Sequence, residues 1–309
     1  MDTNELWDVV IVGYGVTGLA AAMYAGRLEL KTLLIGENPG GIITWTDTVE
    51  NYPGFIKLTG QELVDKLKAH AAEYKVPMEY GRIEKIQKNK DGTFLLKGSE
   101  NEYHTKSVLI ATGTSVKKLE VKGLKQFDNR GVQYCALCDG ALFKGKDMAV
   151  VGGSDSAAKE AIVLSRYARK VYLIYRGDKI RPEPSNRDRL AELSNVEIVL
   201  NTNVTEFLGE KFLQKIKLDK PYKGQTELDV NAVFIAIGHT PLSDIVKEIG
   251  VKTNAHGEII IDRDARTNVP GIFAAGDVVD TKFKQAIVGV GEAVVAVYSA
   301  FLYVSAKKK

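Results

Sequence analysis

A chain of 309 residues, 45% apolar and 26% charged, is long enough for two ordinary domains and has the make-up of a soluble globular protein. Its net charge of only +3 argues against nucleic acid or anionic lipid as a partner. Two cysteines, in a chain that opens acidic and lacks the basic and apolar regions of a secretory leader, imply a reducing, cytoplasmic setting where a lasting structural disulfide is not expected.

Residues 8–37, DVVIVGYGVTGLAAAMYAGRLELKTLLIGE, read as an apolar strand, a glycine turn, a helix and a second β-branched strand. That order predicts two parallel strands joined by a helical crossover. In Gly13-x-Gly15-x-x-Gly18 the first glycine makes the tight turn, the second admits a pyrophosphate, and the third lets helix and strand close up. Glu37 ends the second strand, where a carboxylate suits a ribose hydroxyl. A turn that binds nothing is the competing reading, and the strand–turn–helix context disfavours it. From Pro77 to Tyr103 the chain has meander character, with a turn at Asp91-Gly92, and VLIATGT (108–114) follows as another buried strand.

GVQYCALCDGALF (131–143) holds both cysteines, Cys135 and Cys138, with Asp139 against the second. Such a pair is a structural accident, half of a zinc site, or a working dithiol. Zinc wants four ligands, and His70, His104, His239 and His256 show no ligand spacing, so no metal is expected. Residues 147–176, DMAVVGGSDSAAKEAIVLSRYARKVYLIYR, then repeat the strand–turn–helix–strand pattern. The second turn, Gly152-Gly153-Ser154-Asp155-Ser156-Ala157, has serine at the close-approach position. Its following strand ends Tyr175-Arg176, and a basic end suits a 2′-phosphate, hence NADP over NAD. A decayed site kept for packing is the alternative. A second meander (195–230, with Lys223-Gly224) and VFIAIGH (233–239) complete this half.

Thr240 to Asp244 reads as a linker, leading through VPGIFAAGDV to a last helix. Gly289, Gly291 and Glu292 interrupt the apolar run Ile287 to Val304, so a buried helix is expected there instead of a membrane span. Lys307, Lys308 and Lys309 read as a solvated tail. The expected fold is α/β: two nested Rossmann-like dinucleotide-binding domains, each a three-layer ββα unit, the second inserted in the first. Residues 1–117 and 245–309 form one domain and 118–244 the other.

The stretches GYGVTGLAAAMYAGR, GGIITWTDTVENYPGF, ATGTSVKKL, GVQYCALCDG, GGSDSAAKEA, AIGHTP and VPGIFAAGDV occur in one order across nearly the full length. In this the chain resembles the low-molecular-weight thioredoxin reductases. The resemblance implies FAD in the first domain, with Gly13, Gly15 and Gly18 at its pyrophosphate and Glu37 at its adenosine ribose. Gly41, Thr44 and Asn51 would lie in loops beside the flavin, with Thr112 and Gly113 at the end of the ATG strand and Asp277 on the ribityl chain. Lys284, Gln285 and Ala286 would open the last helix towards the flavin pyrimidine ring, where a helix N-terminus favours negative charge. The same resemblance gives Cys138 the flavin-facing role, Cys135 the attack on a thioredoxin-like partner, and Asp139 the proton exchange. NADPH would use Gly152, Gly153, Ser154, Asp155, Ser156, Arg176 and Arg181.

The chain departs from the family where its basic run reads Tyr175-Arg176-Gly177-Asp178-Lys179-Ile180-Arg181, against a pattern like H-R-R-x-x-x-R. Gly41-Ile42-Ile43-Thr44 lacks the usual glutamine, and Lys284 replaces an arginine. These departures leave NADH or ferredoxin as rival donors, and a flavin redox sensor without turnover as a rival function. Family members are homodimers, and a rotation about Gly113–Lys117 and Thr240–Asp244 is expected to bring dithiol and nucleotide to one flavin in turn.

Overall fold

The computed structural model describes residues 5–99 and 101–307. The chain divides into two compact units, Val116–His239 and the remainder on either side of it.

In the first unit, Val9–Val12 lies near the middle of a five-stranded parallel sheet, between Val108–Ile110 and Thr32–Gly36. Ile272–Ala274 and Met78–Tyr80 form the edges. The VVIV strand is buried along its whole length, as a parallel strand covered on both faces must be. Alternate side chains go to different layers. Val9, Ile11 and Leu34 pack with the helix Val16–Arg27 and the last helix, Ala286–Ala306. Val10, Val12, Leu33 and Ile35 pack with Ile86, Phe94 and Leu96 of an antiparallel layer. That layer is the meander Ile83–Lys88, Phe94–Gly98 and Glu102–Thr105, extended by Leu6–Trp7 in parallel. The result is a three-layer ββα unit. Beside it, Gly60–Glu73 opens on a capping box. Thr59 Oγ1 accepts from Glu62 N at 3.1 Å, and Glu62 Oε2 accepts from Thr59 N at 2.7 Å.

The second unit repeats the plan. Asp147–Val151, also buried throughout, lies between Ala232–Ile235 and Lys170–Ile174 in a parallel sheet edged by Val132–Gln133 and Val196–Val199. Helices Asp155–Ser165 and Pro184–Ala191 contribute Ala157, Ala161 and Leu190 to the core with Met148, Val150, Val171 and Leu173. The opposite core holds Phe207, Ile216 and Leu228 of the antiparallel strands Val204–Gly209, Leu213–Tyr222 and Gln225–Asp229. Lys223 and Gly224 turn the last hairpin with φ of 51° and 81°, the left-handed pair that a two-residue turn needs.

The two crossings between units pair with each other as short strands, Thr114–Val116 with His239–Pro241. His239 therefore lies in a strand. Leu242 N donates to Gly113 O at 3.0 Å, and Lys117 N to Gly238 O at 2.9 Å.

The last helix differs from the expectation of a buried helix. One face is buried through Ala293, Ala296, Val297, Ala300 and Val304, but Val295, Tyr298 and Leu302 stand exposed on another. By length and composition it is apolar enough to cross a membrane, and its buried face is what the core of this unit requires. Of the basic tail, Lys307 is held: its ammonium donates to Gly92 O at 3.0 Å and lies over the Tyr303 ring. Lys308 and Lys309 fall outside the described residues.

The helix's two interior glycines separate packing from propensity. A Cβ on Gly289 would sit 2.6 Å from Thr17 Oγ1 and 3.1 Å from Gly276 Cα, whereas one on Gly291 meets nothing within 4 Å. Gly289→Ala is expected to destabilise by about 1–3 kcal/mol through overpacking. Gly291→Ala is expected to stabilise by about 0.5–1 kcal/mol through helix propensity. Thermal denaturation of the two variants beside the parent checks both signs.

Candidate active site

In a parallel sheet the loops that leave the carboxyl ends of the strands gather along one edge. In the first unit those loops carry Gly13 and Gly15 after Val12, Glu37 after Gly36, Thr112 and Gly113 after Ile110, and Asp277 beyond Ala274. The glycines have distinct tasks. Gly13 holds φ at +125°, and a Cβ there would lie 2.1 Å from Ala111 O; one on Gly18 would lie 1.8 Å from Gly13 O. Backbone packing excludes any side chain at both. At Gly15 a Cβ would approach nothing closer than Gly40 O and Gly41 Cα, each 3.9 Å away. That cradle adjoins the start of a helix with no side-chain cap and no acid in its first turn. Its N–H groups are thus left for an anion. A dinucleotide pyrophosphate fits both features.

Around this cradle, Gly41 opens a 3₁₀ turn, Gly41–Trp45, in which Thr44 Oγ1 donates to Gly41 O at 2.8 Å. Glu37 is exposed and pairs with Arg82 at 3.6 Å. A surface pair of this kind contributes little and leaves the carboxylate open to a ligand. Asn51 and Gln285, far apart in sequence, meet: Asn51 Nδ2 donates to Gln285 Oε1 at 2.9 Å. Gln285 caps the last helix, which begins at Ala286 with no acid in its first turn. Thr112 Oγ1 donates to Leu242 O at 2.7 Å, which ties the ATG strand to the returning crossing.

Lys284, expected as a contact of the flavin, has its ammonium engaged with Glu258 at 2.9 Å and with Val279 O. Burial pushes the Glu258 carboxyl up, but hydrogen bonds from Asn254 and Lys284 outweigh it and hold the group below its ordinary range. Glu292 gave a sequence signal only as a lone acid in an apolar helix. Its Oε2 accepts from Gly276 N at 2.8 Å and its Oε1 from Thr281. It thereby closes the turn that carries Asp277.

In the second unit Cys135 and Cys138 form a disulfide, with Cα atoms 5.4 Å apart. Cys135 caps the short helix Ala136–Asp139, and its sulfur accepts from Cys138 N at 3.1 Å. Cys135 is buried, 6% exposed, while Cys138 is open. Burial pushes the Asp139 carboxyl above its ordinary range. A second carboxyl stands beside the same turn: Glu160 Oε2, on the helix Asp155–Ser165, accepts from Ala136 N at 2.6 Å. Burial raises its pKa to about 7. The Ala136 bond opposes the shift and the charge of Asp139 adds to it. No spacing rule links Glu160 to the cysteines. Among the described residues, no group of three or more His, Cys, Asp and Glu side chains is placed to hold a metal ion.

The second glycine turn repeats the first with one exchange. Gly152 matches Gly13: a Cβ would lie 2.2 Å from Ala236 O. In the first turn Tyr14 stands against Gly36, where a Cβ would be 2.6 Å from Tyr14 N. In the second, the large residue has changed strands: Tyr175 lies against Gly153, whose Cβ would meet its ring at 2.4 Å. The Tyr175 hydroxyl accepts from Arg181 at 2.9 Å, and Arg181 N donates to Gly153 O at 2.7 Å. Arg176, Ser154 and Ser156 are exposed. Asp155 is turned aside. Its Oδ1 accepts from Glu183 N and Asn186 Nδ2, both at 2.8 Å, and Lys159 pairs with Oδ2 at 3.0 Å.

Residues 7–293 match the family of pyridine nucleotide-disulphide oxidoreductases. The chain belongs to that family. Within it, the full-length similarity is to thioredoxin reductases of the low-molecular-weight type. The thioredoxin reductase of Listeria innocua is 38% identical over 309 residues, covering 99% of this chain and 96% of that protein. The crystal structure of Lactococcus lactis thioredoxin reductase in its FR conformation matches with a TM-score of 0.93 and 36% identity, covering 97% and 99% of the two chains. A ferredoxin-flavin thioredoxin reductase from Clostridium acetobutylicum matches with a TM-score of 0.54 and 30% identity, covering 98% and 99%.

The cradle at Gly15 has a direct test. Gly15→Val places a Cβ at ordinary contact distance, 3.9 Å from Gly40 O and Gly41 Cα, with backbone φ at −78° that valine tolerates. The variant is expected to keep the parent's circular dichroism and melting temperature in the ligand-free state. Its bound flavin after purification, read by absorbance, is expected to fall about tenfold or more, a loss of at least ~1.4 kcal/mol.

Proposed function

We propose that the chain is an FAD-dependent thioredoxin-disulfide reductase that draws electrons from NADPH and delivers them through Cys135–Cys138 to a thioredoxin-like protein. The observation that carries this reading is the disulfide itself, set in a Rossmann-like unit on a turn flanked by two carboxyls. Bound at the first unit, FAD supplies a two-electron carrier between a hydride donor and a disulfide. Gly13, Gly15 and Gly18 with the helix at Val16 hold the pyrophosphate, Glu37 the adenosine ribose, and Asp277 the ribityl chain. Asn51 and Gln285, already joined, fix the loop and the helix N-terminus at the ring end.

Opening the disulfide takes two electrons and two protons and gives two thiols. Cys138, the open sulfur, is suited to face the ring, and Cys135 to attack the partner. Since Cys135 is buried here, that attack requires the sulfur to be uncovered. Both the dithiol and the second glycine turn belong to Val116–His239, so serving one flavin requires this unit to turn at its two crossings. Asp139, raised by burial, keeps a proton to higher pH than an open aspartate and can return it to a departing sulfur.

NADPH is assigned to Gly152, Gly153, Ser154, Asp155 and Ser156, with Arg176 and Arg181 for the 2′-phosphate. A second reading, the same chemistry fed by NADH or ferredoxin, is favoured by the Tyr175–Arg181 contact and by Ser154. Losing one charge-assisted contact costs about 1.5–3 kcal/mol, roughly tenfold to a hundredfold in affinity. Anaerobic titration of the flavoprotein with NADPH, NADH and reduced ferredoxin separates the donors by which one bleaches the flavin. Cys138→Ser is expected to abolish reduction of a thioredoxin while leaving that bleaching intact; unchanged turnover would overturn the assignment.

A cytoplasmic homodimer completes the proposal. Val295, Tyr298 and Leu302 recur at helical spacing as an exposed apolar stripe on the last helix, and a second copy of this chain would cover it. Tyr298→Asp is expected to shift the protein towards monomer in sedimentation equilibrium without lowering its flavin content.

A further inference from the structure

We propose that Glu160 is a positioning residue for the Cys135–Cys138 couple. Its carboxylate holds the first N–H of the redox turn, and its charge sets how readily the reduced turn forms a thiolate. The inference rests on the reading of the cysteines as a working dithiol and adds a residue that the C-x-x-C-D stretch does not contain.

A cysteine at the N-cap of a helix gains acidity from the N–H groups of the first turn. Cys135 occupies that position, and Cys138 N already points at its sulfur at 3.1 Å. Ala136 N, the first N–H of the same turn, is held by Glu160 Oε2 at 2.6 Å, which puts that carboxyl against the turn. An ionised Glu160 therefore acts against a thiolate by adding a like charge beside the turn. A protonated Glu160 removes the charge. Burial and Asp139 bring that protonation close to neutral pH, where the enzyme would turn over.

Few other charges compete for this control. The helix of Glu160 packs on strands that bring it apolar Met148, Val150, Val171 and Leu173, and on Gly140–Phe143, which carries no charge. The short helix Ala136–Asp139 brings Asp139. The helix Pro184–Ala191 carries Arg187, Asp188 and Arg189, of which Arg187 and Asp188 pair with each other at 2.9 Å. On its own helix, Lys159 pairs with Asp155.

The chemical step balances without a further reagent. A reduced cysteine releases its proton to solvent, and the thiolate attacks the partner's disulfide. One S–S bond forms as another breaks, and the departing partner thiolate takes up a proton. Glu160 governs the first event and takes no electrons.

The test uses the full-length, flavin-loaded protein, reduced and alkylated with iodoacetamide across pH, with modification at Cys135 and Cys138 resolved by peptide mass spectrometry. Glu160→Gln keeps an oxygen acceptor for Ala136 N–H and removes the charge. It is expected to leave the alkylation of Cys135 unchanged well below neutrality, where the parent's Glu160 is itself protonated, and to make it about threefold to tenfold faster above neutrality, where the parent's Glu160 is ionised. Its melting temperature should stay near the parent's, and the reduction potential of the couple should move with the thiol pKa. Superimposable profiles for parent and Gln variant would overturn the proposal, whatever happens to a less conservative Glu160→Ala. A shifted profile in a protein that reduces no thioredoxin would leave the inference standing and defeat the proposed function instead.

Discussion

Two strands, Val9–Val12 and Asp147–Val151, are buried from end to end, and the placement of the two glycine turns follows from what that burial demands. A strand covered on both faces needs a layer on each side. The chain supplies helices on one and an antiparallel meander on the other, twice over. The strand's only outlet is then its end, where backbone must turn sharply beneath a helix. Gly13 and Gly152 make these turns with the space for a Cβ already filled by the carbonyls of Ala111 and Ala236. At that edge the backbone leaves the core directly into the start of a helix with no side-chain cap.

The two units use this shared plan for different ends. At the first turn the helix N-terminus is bare and Gly15 leaves room beside it, which is what an anionic ligand requires. At the second turn Ser154 stands in the equivalent place, and the exchange of Tyr14/Gly36 for Gly153/Tyr175 brings an aromatic hydroxyl against Arg181. Immediately before that turn in sequence lies the disulfide, on a short helix whose first N–H belongs to Glu160. Two carboxyls raised by burial beside one pair of sulfurs make a poor structural brace and a suitable place for proton-coupled exchange.

Much of this was legible in the sequence, because local patterns carry local structure. The doubled strand–turn–helix–strand motif, the spacing of Gly13, Gly15 and Gly18, the turns at Asp91-Gly92 and Lys223-Gly224, and the neighbouring cysteines all depend on residues a few positions apart. What escaped depends on contacts between distant segments. Glu160 is one acid on an amphipathic helix, and its meeting with Ala136 has no period to reveal it. Glu292 was visible as an oddity in an apolar run, but its acceptance from Gly276 N exists only once helix and turn are packed. Lys284 was expected to face the flavin, and only the fold brings Glu258 to it. The open stripe on the last helix escaped for a related reason: composition reports how apolar a helix is, and only packing decides which of its faces is covered.

The central claim is that a flavin in the first unit and the sulfur pair in the second form one electron path. Anaerobic reductive titration of the purified yellow protein tests it most directly. The account predicts uptake of about four electrons per chain, two at the flavin and two at the disulfide, falling to about two when Cys135 and Cys138 are both replaced by serine. A parent protein that binds no flavin, or that takes up the same number of electrons as the double variant, would contradict it.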